Sequence, residues 1–196
     1  MYRRLYPRAS IHSFEPFPPS FEELRRNTAT DPRTSIHNVA ISDKKDIVVL
    51  NANTFSATNS LLQTDSRGHY YWGEGLLDTE DQVVVESTSI DLFCRTKSIE
   101  HIDILKLDIQ GLEYAALQGA KEMLSNQSIS VIYTEIILAP TYHGQQPLHA
   151  YLAFLDAFGY GLFDFYNPQR KNMQLIQADL LFISNTRDRM LRQSSL

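Results

Sequence analysis

The stretch Ile102-Asp-Ile-Leu-Lys-Leu-Asp-Ile-Gln-Gly-Leu-Glu113 decides the fold of this chain. Its apolar run is interrupted by Lys106 and closed by Asp108. A turn through Gln110 and glycine then leads into a helical pattern that begins near Glu113. An apolar run followed by a glycine turn and helical spacing predicts a buried parallel strand that leads into a helix. Ligands of open α/β sheets bind at the carboxyl ends of such strands, so we expect Asp108 to lie at the functional site.

Strands and helices alternate along the rest of the chain. Strand patterns occupy residues 10–15, 34–41, 46–50, 83–88, 128–138, 160–166 and 177–184. Helical patterns follow Pro18, Ser89, Leu112 and Pro147. This order predicts one α/β domain over residues 1–196, with a core of about 9–185, a mostly parallel sheet and a C-terminal antiparallel hairpin. The charged tail after Thr186 is expected to fray.

Residues 51–82 form a long polar segment that contains Trp72, Tyr70 and Tyr71. Segments of this length without periodicity are uncommon inside a domain and are often functional. We expect an insert that covers one rim of the sheet. It is either an ordinary rim loop or, because aromatic faces suit sugars and rings, part of a substrate site.

Composition excludes several classes of protein. The net charge of −5 argues against a general nucleic-acid binder, which needs a basic face for phosphates. The single cysteine, Cys94, excludes an internal disulfide and a cysteine-rich zinc site. No apolar run reaches the roughly 18 residues of a membrane span, and no signal peptide is evident. We therefore expect a cytoplasmic protein with neither nucleic acid nor membrane as partner.

Acidic residues gather at the predicted strand ends. Glu15, Asp108 and Glu135 lie at or just beyond such ends, and Glu113 begins a helix. Carboxylates in these places accept hydrogen bonds from a ribose diol, hold a cation or take a proton, although solvated turn acids are also common. A metal site formed with His143 is a weaker alternative. The histidines show no metal-binding spacing, so no metal is predicted.

Lys106 shares a strand face with Asp108, because side chains two residues apart in a strand point the same way. A lysine inside an apolar strand must pair or lose its charge. We expect an ion pair with Glu135 or Glu113. The alternative, which is compatible with the first, is that Lys106 orients or deprotonates a substrate hydroxyl.

Several motifs together carry a family resemblance, and they occur in the order Ser13-Phe-Glu-Pro-Phe-Pro18, Asn38-Val-Ala-Ile-Ser42, Ile104-Leu-Lys-Leu-Asp-Ile-Gln-Gly-Leu-Glu113 and Leu117-Gln-Gly119. From about residue 9 to residue 184 the chain resembles the FkbM family of S-adenosylmethionine-dependent methyltransferases. The resemblance implies a Rossmann-like class I methyltransferase fold. It also implies methyl transfer to a hydroxyl of a small molecule, either a sugar or a natural product.

The resemblance also implies roles for individual residues. Glu15, followed by Pro16, matches the acid that grips the ribose hydroxyls of S-adenosyl-L-methionine. Asn38 and Val39 fall near the loop that contacts adenine. Asp108 matches the acid that faces the methionine end of the cofactor and the substrate.

Lys106 and Glu113 also match motif positions and complete the predicted catalytic set with Asp108. The mechanism implied is in-line displacement at the sulfonium methyl group, with catalysis largely by placement of the nucleophile.

The sequence departs from the family pattern in two places. Gln110 stands where the family usually has Glu. The family's first strand and its Asp-x-Gly-x-Asn-x-x-Gly loop are absent, so we expect a gap in the sheet between the strands that end at Glu15 and Asp108.

These departures keep two further functions open. One is a truncated, catalytically inactive remnant that acts as a binding or partner subunit. The other is a different nucleotide-binding α/β enzyme that uses Glu15 on a ribose, although the sequence has no glycine-rich phosphate loop.

Overall fold

The structure is a computed structural model that describes residues 2–186. The expected tail after Thr186 lies outside these residues. The strands are β1 Ile11–Phe14, β2 Thr34–His37, β3 Ala40–Ile41, β4 Asp46–Asn53, β5 Thr79–Thr88, β6 Ile102–Leu107, β7 Ile129–Ile137, β8 Tyr160–Lys171 and β9 Gln174–Ser184. The helices are α1 Tyr2–Leu5, α2 Pro18–Thr28, α3 Gly68–Trp72, α4 Ile90–Lys97, α5 Glu113–Gln118, α6 Lys121–Ser125 and α7 Leu148–Ala157. The chain is therefore mixed α/β, as predicted.

The strands form three hydrogen-bonded sheets, with orders β1-β2, β3-β5-β4 and β6-β7-β9-β8. The pairs β1–β2, β3–β5 and β6–β7 are parallel. The pairs β4–β5, β7–β9 and β8–β9 are antiparallel. The prediction of a mostly parallel sheet is thus wrong, because long antiparallel ladders supply half of the pairings. The C-terminal antiparallel hairpin is confirmed.

Strand boundaries differ from the predictions around residues 34–53. The predicted strand 34–41 divides into β2 and β3, which belong to different sheets. β4 continues to Asn53, into the expected insert, and its antiparallel partner is β5. A polar sequence forms strand here because the ladder with β5 satisfies its backbone hydrogen bonds.

The terminal hairpin is also longer than the pattern predicts. β8 extends to Lys171, and the chain reverses at Asn172 and Met173, whose φ angles are 49° and 65°. Two successive residues with positive φ are typical of the tight turns that join antiparallel strands. The polar residues 167–171, predicted to be a turn, are therefore strand.

The main core lies between the β6-β7-β9-β8 sheet and the helices that follow β5, β6 and β7. Its centre includes Leu117, Leu124, Ile132, Leu155 and Phe182, each at most 1% exposed. Helix α4 begins at the Ser89 cap, whose Oγ accepts a hydrogen bond from the Leu92 amide at 3.2 Å, as predicted.

Strands β1 and β6 are not hydrogen-bonded neighbours. Within residues 2–186, β1 pairs with β2 alone and β6 with β7 alone. The exposed side chain of Ile104, at 41%, accords with the position of β6 at a sheet edge. β1 and β6 thus belong to different sheets. No helix among the described residues is long and apolar enough to cross a membrane.

Candidate functional site

The loop after β6 has an unusual backbone that Glu113 holds in place. Gln110 and Gly111 both have positive φ angles, 55° and 92°. The Glu113 carboxylate accepts hydrogen bonds from the backbone amides of Ile109, at 2.8 Å, and Gly111, at 3.0 Å. Glu113 is 1% exposed, and burial raises its pKa to about 7. The structure therefore places Glu113 beneath the loop, where it positions Asp108 and Gln110.

Lys106 and Asp108 form an ion pair at the end of β6. Lys106 Nζ lies 2.6 Å from Asp108 Oδ2, and the two side chains are 33% and 45% exposed. The ion pair at 2.6 Å is with Asp108, whereas the sequence predicted Glu135 or Glu113. Although burial raises the pKa of Glu135, the Lys106 charge also acts on this group and lowers its pKa. The Lys106 side chain is also less buried than expected, since β6 is an edge strand in the described chain.

Gln110 connects Asp108 to two buried side chains. Its Nε2 donates to Glu135 Oε2 at 3.0 Å and approaches Asp108 Oδ1 at 3.4 Å. Its Oε1 accepts a hydrogen bond from the Tyr142 hydroxyl at 3.0 Å. Both ends of the Gln110 amide are thus used, so its orientation is fixed by its neighbours.

Glu135, at the carboxyl half of β7, is 7% exposed. Its Oε1 accepts a hydrogen bond from Gln177 Nε2 at 2.5 Å. The two carboxylate oxygens of Glu135 thus each accept from a glutamine side chain, Gln177 and Gln110. Burial raises the pKa of Glu135 to about 8, and the nearby carboxylates of Asp108 and Glu113 add to this effect. A pKa raised in this way is typical of acid–base groups at functional sites.

A second group lies at the ends of β1 and β2. Glu15 Oε1 accepts from the Phe17 amide at 2.9 Å, and burial raises the pKa of this carboxyl group. Asn38 Nδ2 donates to the carbonyls of Glu15, at 2.8 Å, and Pro16, at 3.1 Å. Three of the predicted cofactor residues are therefore in contact, and the partly buried Val39 follows directly.

The polar segment 51–82 covers the loops after β6 and β7. Ser60 Oγ donates to the Gln110 carbonyl at 2.6 Å. The Tyr142 hydroxyl also lies 2.8 Å from the Thr58 carbonyl, so its single proton is shared between that carbonyl and Gln110 Oε1. Trp72 Nε1 donates to Thr141 Oγ1 at 2.7 Å. These contacts join the segment to the loops after β6 and β7. They also show that the indole N–H is used within the protein.

A cavity of about 340 Å³ opens between this insert and the loop from β7 to α7. Its polar wall contains Asp65, Arg67, Tyr142, His143 and Gln145. Sequence patterns did not single out Asp65, Arg67 or Tyr142. Asp65 and Arg67 pair with each other inside the polar segment 51–82, and the partners of Tyr142 are distant in the chain. Within the described range, no three His, Cys, Asp or Glu side chains are grouped to hold a metal ion, so the alternative metal site has no support.

The donor set at the two strand ends fits S-adenosylmethionine chemically. The anchored Glu15 carboxylate suits a ribose diol, and the loop at Asn38 and Val39 follows on the neighbouring strand. The partly exposed Asp108 carboxylate suits a hydroxyl or ammonium donor.

Known proteins that are similar to this chain include two methyltransferases. A 2-O-methyltransferase NoeI from Sinorhizobium fredii (strain NBRC 101917 / NGR234) is 29% identical over 165 residues, which are 80% of this chain and 65% of that protein. The chain thus spans just under two thirds of that relative. A crystal structure of Methyltransferase FkbM from Methylobacillus flagellatus KT has a TM-score of 0.49 at 17% identity, over 87% of this chain and 36% of that one.

The family model of the methyltransferase FkbM domain matches residues 1–162, which include β1, β6, β7 and the loops that carry the site. Because this match covers most of the chain, the protein belongs to the FkbM methyltransferase domain family.

Proposed function

We propose that this chain forms the catalytic cleft of an S-adenosylmethionine-dependent O-methyltransferase that acts on a hydroxyl of a sugar or small natural product. Family membership and the name of the 2-O-methyltransferase relative support this proposal. The observation that carries it is the Asp108 carboxylate at the end of β6, beside Lys106 and on a loop that Glu113 holds. We also propose a Rossmann-like arrangement, in which β1 and β6 supply opposite sides of the cofactor cleft.

The residues of the β1–β2 corner would hold the nucleoside part of the cofactor. Glu15 would accept the ribose hydroxyls, while Pro16, Asn38 and Val39 would shape the adenine side. The contacts of Asn38 with the carbonyls of Glu15 and Pro16 hold this corner together.

Asp108 and Lys106 would act at the opposite end of the cleft. When bound, S-adenosylmethionine supplies an electrophilic methyl group on a sulfonium sulfur. Asp108 would orient the methionine end and the acceptor hydroxyl, and the ion pair with Lys106 would hold the Asp108 carboxylate in position. Holding the reacting groups in a fixed orientation by itself gives large rate enhancements, so a loop held in one conformation would favour catalysis.

Isothermal titration calorimetry with S-adenosylmethionine tests the proposal. We expect binding to the wild type that weakens at least tenfold in Glu15→Ala and Asp108→Asn, or about 1.4 kcal/mol. The exposed Glu23→Gln on α2 is the matched control and should bind as the wild type does. Absence of binding to the wild type at millimolar ligand would contradict the proposal for this chain.

A specific observation favours one alternative, a catalytically inactive binding or partner subunit. The two predicted halves of the cofactor cleft lie on β1 and β6, which share no ladder within residues 2–186. This alternative predicts that the protein binds a hydroxylated ligand but neither binds S-adenosylmethionine nor transfers a methyl group. The same calorimetric titration therefore separates the two functions.

A further inference from the structure

The cavity beside the insert has the size and lining of a small-molecule site. Its volume of about 340 Å³ lies at the lower end of the range of about 300–1,000 Å³ for ligand pockets. Apolar side chains of Leu138, Pro140, Pro147 and Leu148 share its wall with the polar residues. Such mixed walls suit a sugar ring, whose carbon faces are apolar and whose edge carries hydroxyl groups.

Asp65 is the fixed charge of this cavity. Its residue is 4% exposed, and Arg67 donates to it from Nε at 3.0 and 3.1 Å and from Nη2 at 2.6 Å. The Arg67 backbone amide also donates to Oδ1 at 2.9 Å. These contacts hold the pKa of Asp65 well below its usual range and fix the plane of its carboxylate. Because Asp65 already balances the Arg67 charge, the pair favours a neutral ligand over an anionic one.

His143 stands over Asp65 at the mouth of the cavity. Its Nδ1 lies 3.7 Å from Asp65 Oδ2, and its side chain is 63% exposed. The His143 backbone amide donates to the Gln63 carbonyl at 2.8 Å, which ties the loop to the insert. A carboxylate beside Nδ1 favours the tautomer with its proton on Nδ1, which leaves Nε2 as a proton acceptor. Catalytic hydrogen bonds of this kind often tighten only when substrate binds.

The cavity is linked to the predicted methyl-transfer site through one side chain. Tyr142 lines the cavity, and its hydroxyl donates to Gln110 Oε1 at 3.0 Å. Gln110 Nε2 in turn approaches Asp108 Oδ1 at 3.4 Å. A ligand in the cavity would therefore lie one side chain away from the loop that carries Asp108.

We propose that this cavity is the methyl-acceptor pocket, that it binds a neutral sugar ring, and that His143, oriented by Asp65, removes the proton of the acceptor hydroxyl. The inference rests on the proposed methyltransferase function. The acceptor oxygen forms a C–O bond to the donor methyl carbon while the C–S bond breaks and its electron pair stays on sulfur. The hydroxyl proton passes to His143 Nε2, the Asp65 carboxylate stabilises the imidazolium, and water then takes the proton.

Sugar binding is tested without any cofactor. Saturation-transfer NMR would use neutral methyl pyranosides at millimolar concentration, with the corresponding uronic acid as the anionic comparison. We expect saturation transfer to a neutral ring in the wild type, and a clear loss of it in Asp65→Asn and His143→Gln. The control His149→Gln changes an exposed histidine on α7 that does not line the cavity. Equal signals in all four proteins would overturn the pocket.

The catalytic part of the inference is tested by transfer to the same glycosides, with mass spectrometry as the readout. We expect His143→Gln to lower kcat by about 10²–10⁴-fold, with a smaller effect on KM and loss of the acid limb of the pH–rate profile. Asp65→Asn should lower kcat by about tenfold, and His149→Gln should leave it unchanged. An unchanged pH profile in His143→Gln would overturn its role as a base.

Calorimetry on the same variants separates the two proposals. His143→Gln should bind S-adenosylmethionine as the wild type does, because His143 lies outside the predicted cofactor residues. If the wild type binds the cofactor but the cavity variants retain sugar binding and transfer, the inference fails and the methyltransferase proposal stands. If the wild type binds no cofactor, the transfer step fails with the proposed function, and the NMR result alone decides the sugar pocket.

Discussion

Gln110 is the residue on which the geometry of the predicted methyl-transfer site depends most. Its amide donates to the buried Glu135 and accepts from Tyr142, while its backbone takes a positive φ of 55°. Glutamate, which the family resemblance predicts at this position, would bring a second carboxylate within about 3 Å of Glu135. Carboxylates this close cannot both ionise without a large cost, so the pair would retain a proton. With glutamine at position 110, Glu135 has a neutral hydrogen-bond partner in place of a second carboxylate.

Gln110→Glu should therefore destabilise the fold in a pH-dependent way. We expect a loss of about 1–2 kcal/mol in the free energy of unfolding above pH 8, and a smaller loss near pH 6, where the pair retains its proton. Urea denaturation at the two pH values measures the effect. The double variant Gln110→Glu with Glu135→Gln exchanges the two groups and should recover at least half of the loss. Equal destabilisation at both pH values would contradict this account.

The sequence predicts members of the candidate site but not the contacts that they make. Asp108, Lys106 and Glu113 follow from one strand-to-helix motif, since they lie within eight residues of each other. The partner of Lys106 does not follow, because it depends on how exposed the edge of β6 is. Tyr142 and Gln177 reach the site from distant segments, and no local pattern carries that information.

Glu113 illustrates a different limit of local prediction. Its position at the start of a helix is predicted correctly. That its carboxylate turns back to the amides of Ile109 and Gly111 depends on the positive φ angles of the loop. A positive φ angle can be predicted at Gly111, because glycine adopts it readily, but not at Gln110.

At the scale of elements, one glycine divides the helix predicted after β6. Helix α5 ends at Gln118 and α6 begins at Lys121, with Gly119 between them. A Cβ at Gly119 would lie 2.4 Å from the Ser42 carbonyl oxygen and 2.9 Å from Ser89 Cβ. The apolar spacing of residues 112–124 continues through the break, so periodicity alone predicts one helix. The close approach to the segment after β3 is a tertiary contact that the pattern does not contain.

Gly119→Ala should consequently destabilise the fold by about 1–3 kcal/mol, because the new methyl group must displace backbone at Ser42. The measurement is the free energy of unfolding in urea. Gly161→Ala is the matched control, since a Cβ at Gly161 on β8 meets nothing within 4 Å. Its stability should stay within about 0.5 kcal/mol of the wild type. A similar loss in both variants would show that packing at Gly119 is not the cause.

Segment 51–82 shows what remains unpredictable between elements. Its length and polarity predict an insert at a rim of the sheet. Its attachment through Ser60, Thr58 and Trp72 relies on hydrogen bonds to residues 50 to 84 positions away. These single polar contacts have no periodicity, so they leave no signature in one sequence.

At the scale of the whole molecule, a pair of histidines makes the free energy of unfolding depend on pH in the acid range. His12 Nδ1 and His37 Nε2 are 3.2 Å apart, and both rings pack on Phe93. Burial lowers the pKa of both histidines, and the nearby Lys97 lowers them further. Since the folded pKa lies below the ordinary value of 6.5, the unfolded chain binds more protons. The contribution of the two histidines to stability is therefore full above about pH 6.5 and falls as the pH drops.

Replacement of one histidine should flatten this acid limb. Between about pH 7.5 and pH 5.5, we expect His37→Gln to lose about 1 kcal/mol less unfolding free energy than the wild type does. Urea denaturation at the two pH values gives the comparison. His149→Gln, an exposed histidine on α7, should follow the wild type. If His37→Gln and the wild type have parallel pH profiles, the pair does not couple protonation to folding.

The buried carboxyl groups of Glu113 and Glu135 change the free energy of unfolding at neutral and alkaline pH. The pKa values of Glu113 and Glu135 are raised to about 7 and about 8, from 4.5. The folded state then binds more protons than the unfolded state, so this contribution to stability is full below about pH 4.5 and is lost as the pH rises through 7 to 8.

In Glu135→Gln, the unfolding free energy should fall by about 1 kcal/mol less than in the wild type between about pH 6 and pH 9. Each titrating group contributes at most about 1.4 kcal/mol per pH unit. The exposed Glu23→Gln should leave the slope unchanged. A wild-type protein whose unfolding free energy does not decline over this range would show that the two acids ionise without cost, and that the site is more hydrated than its burial indicates.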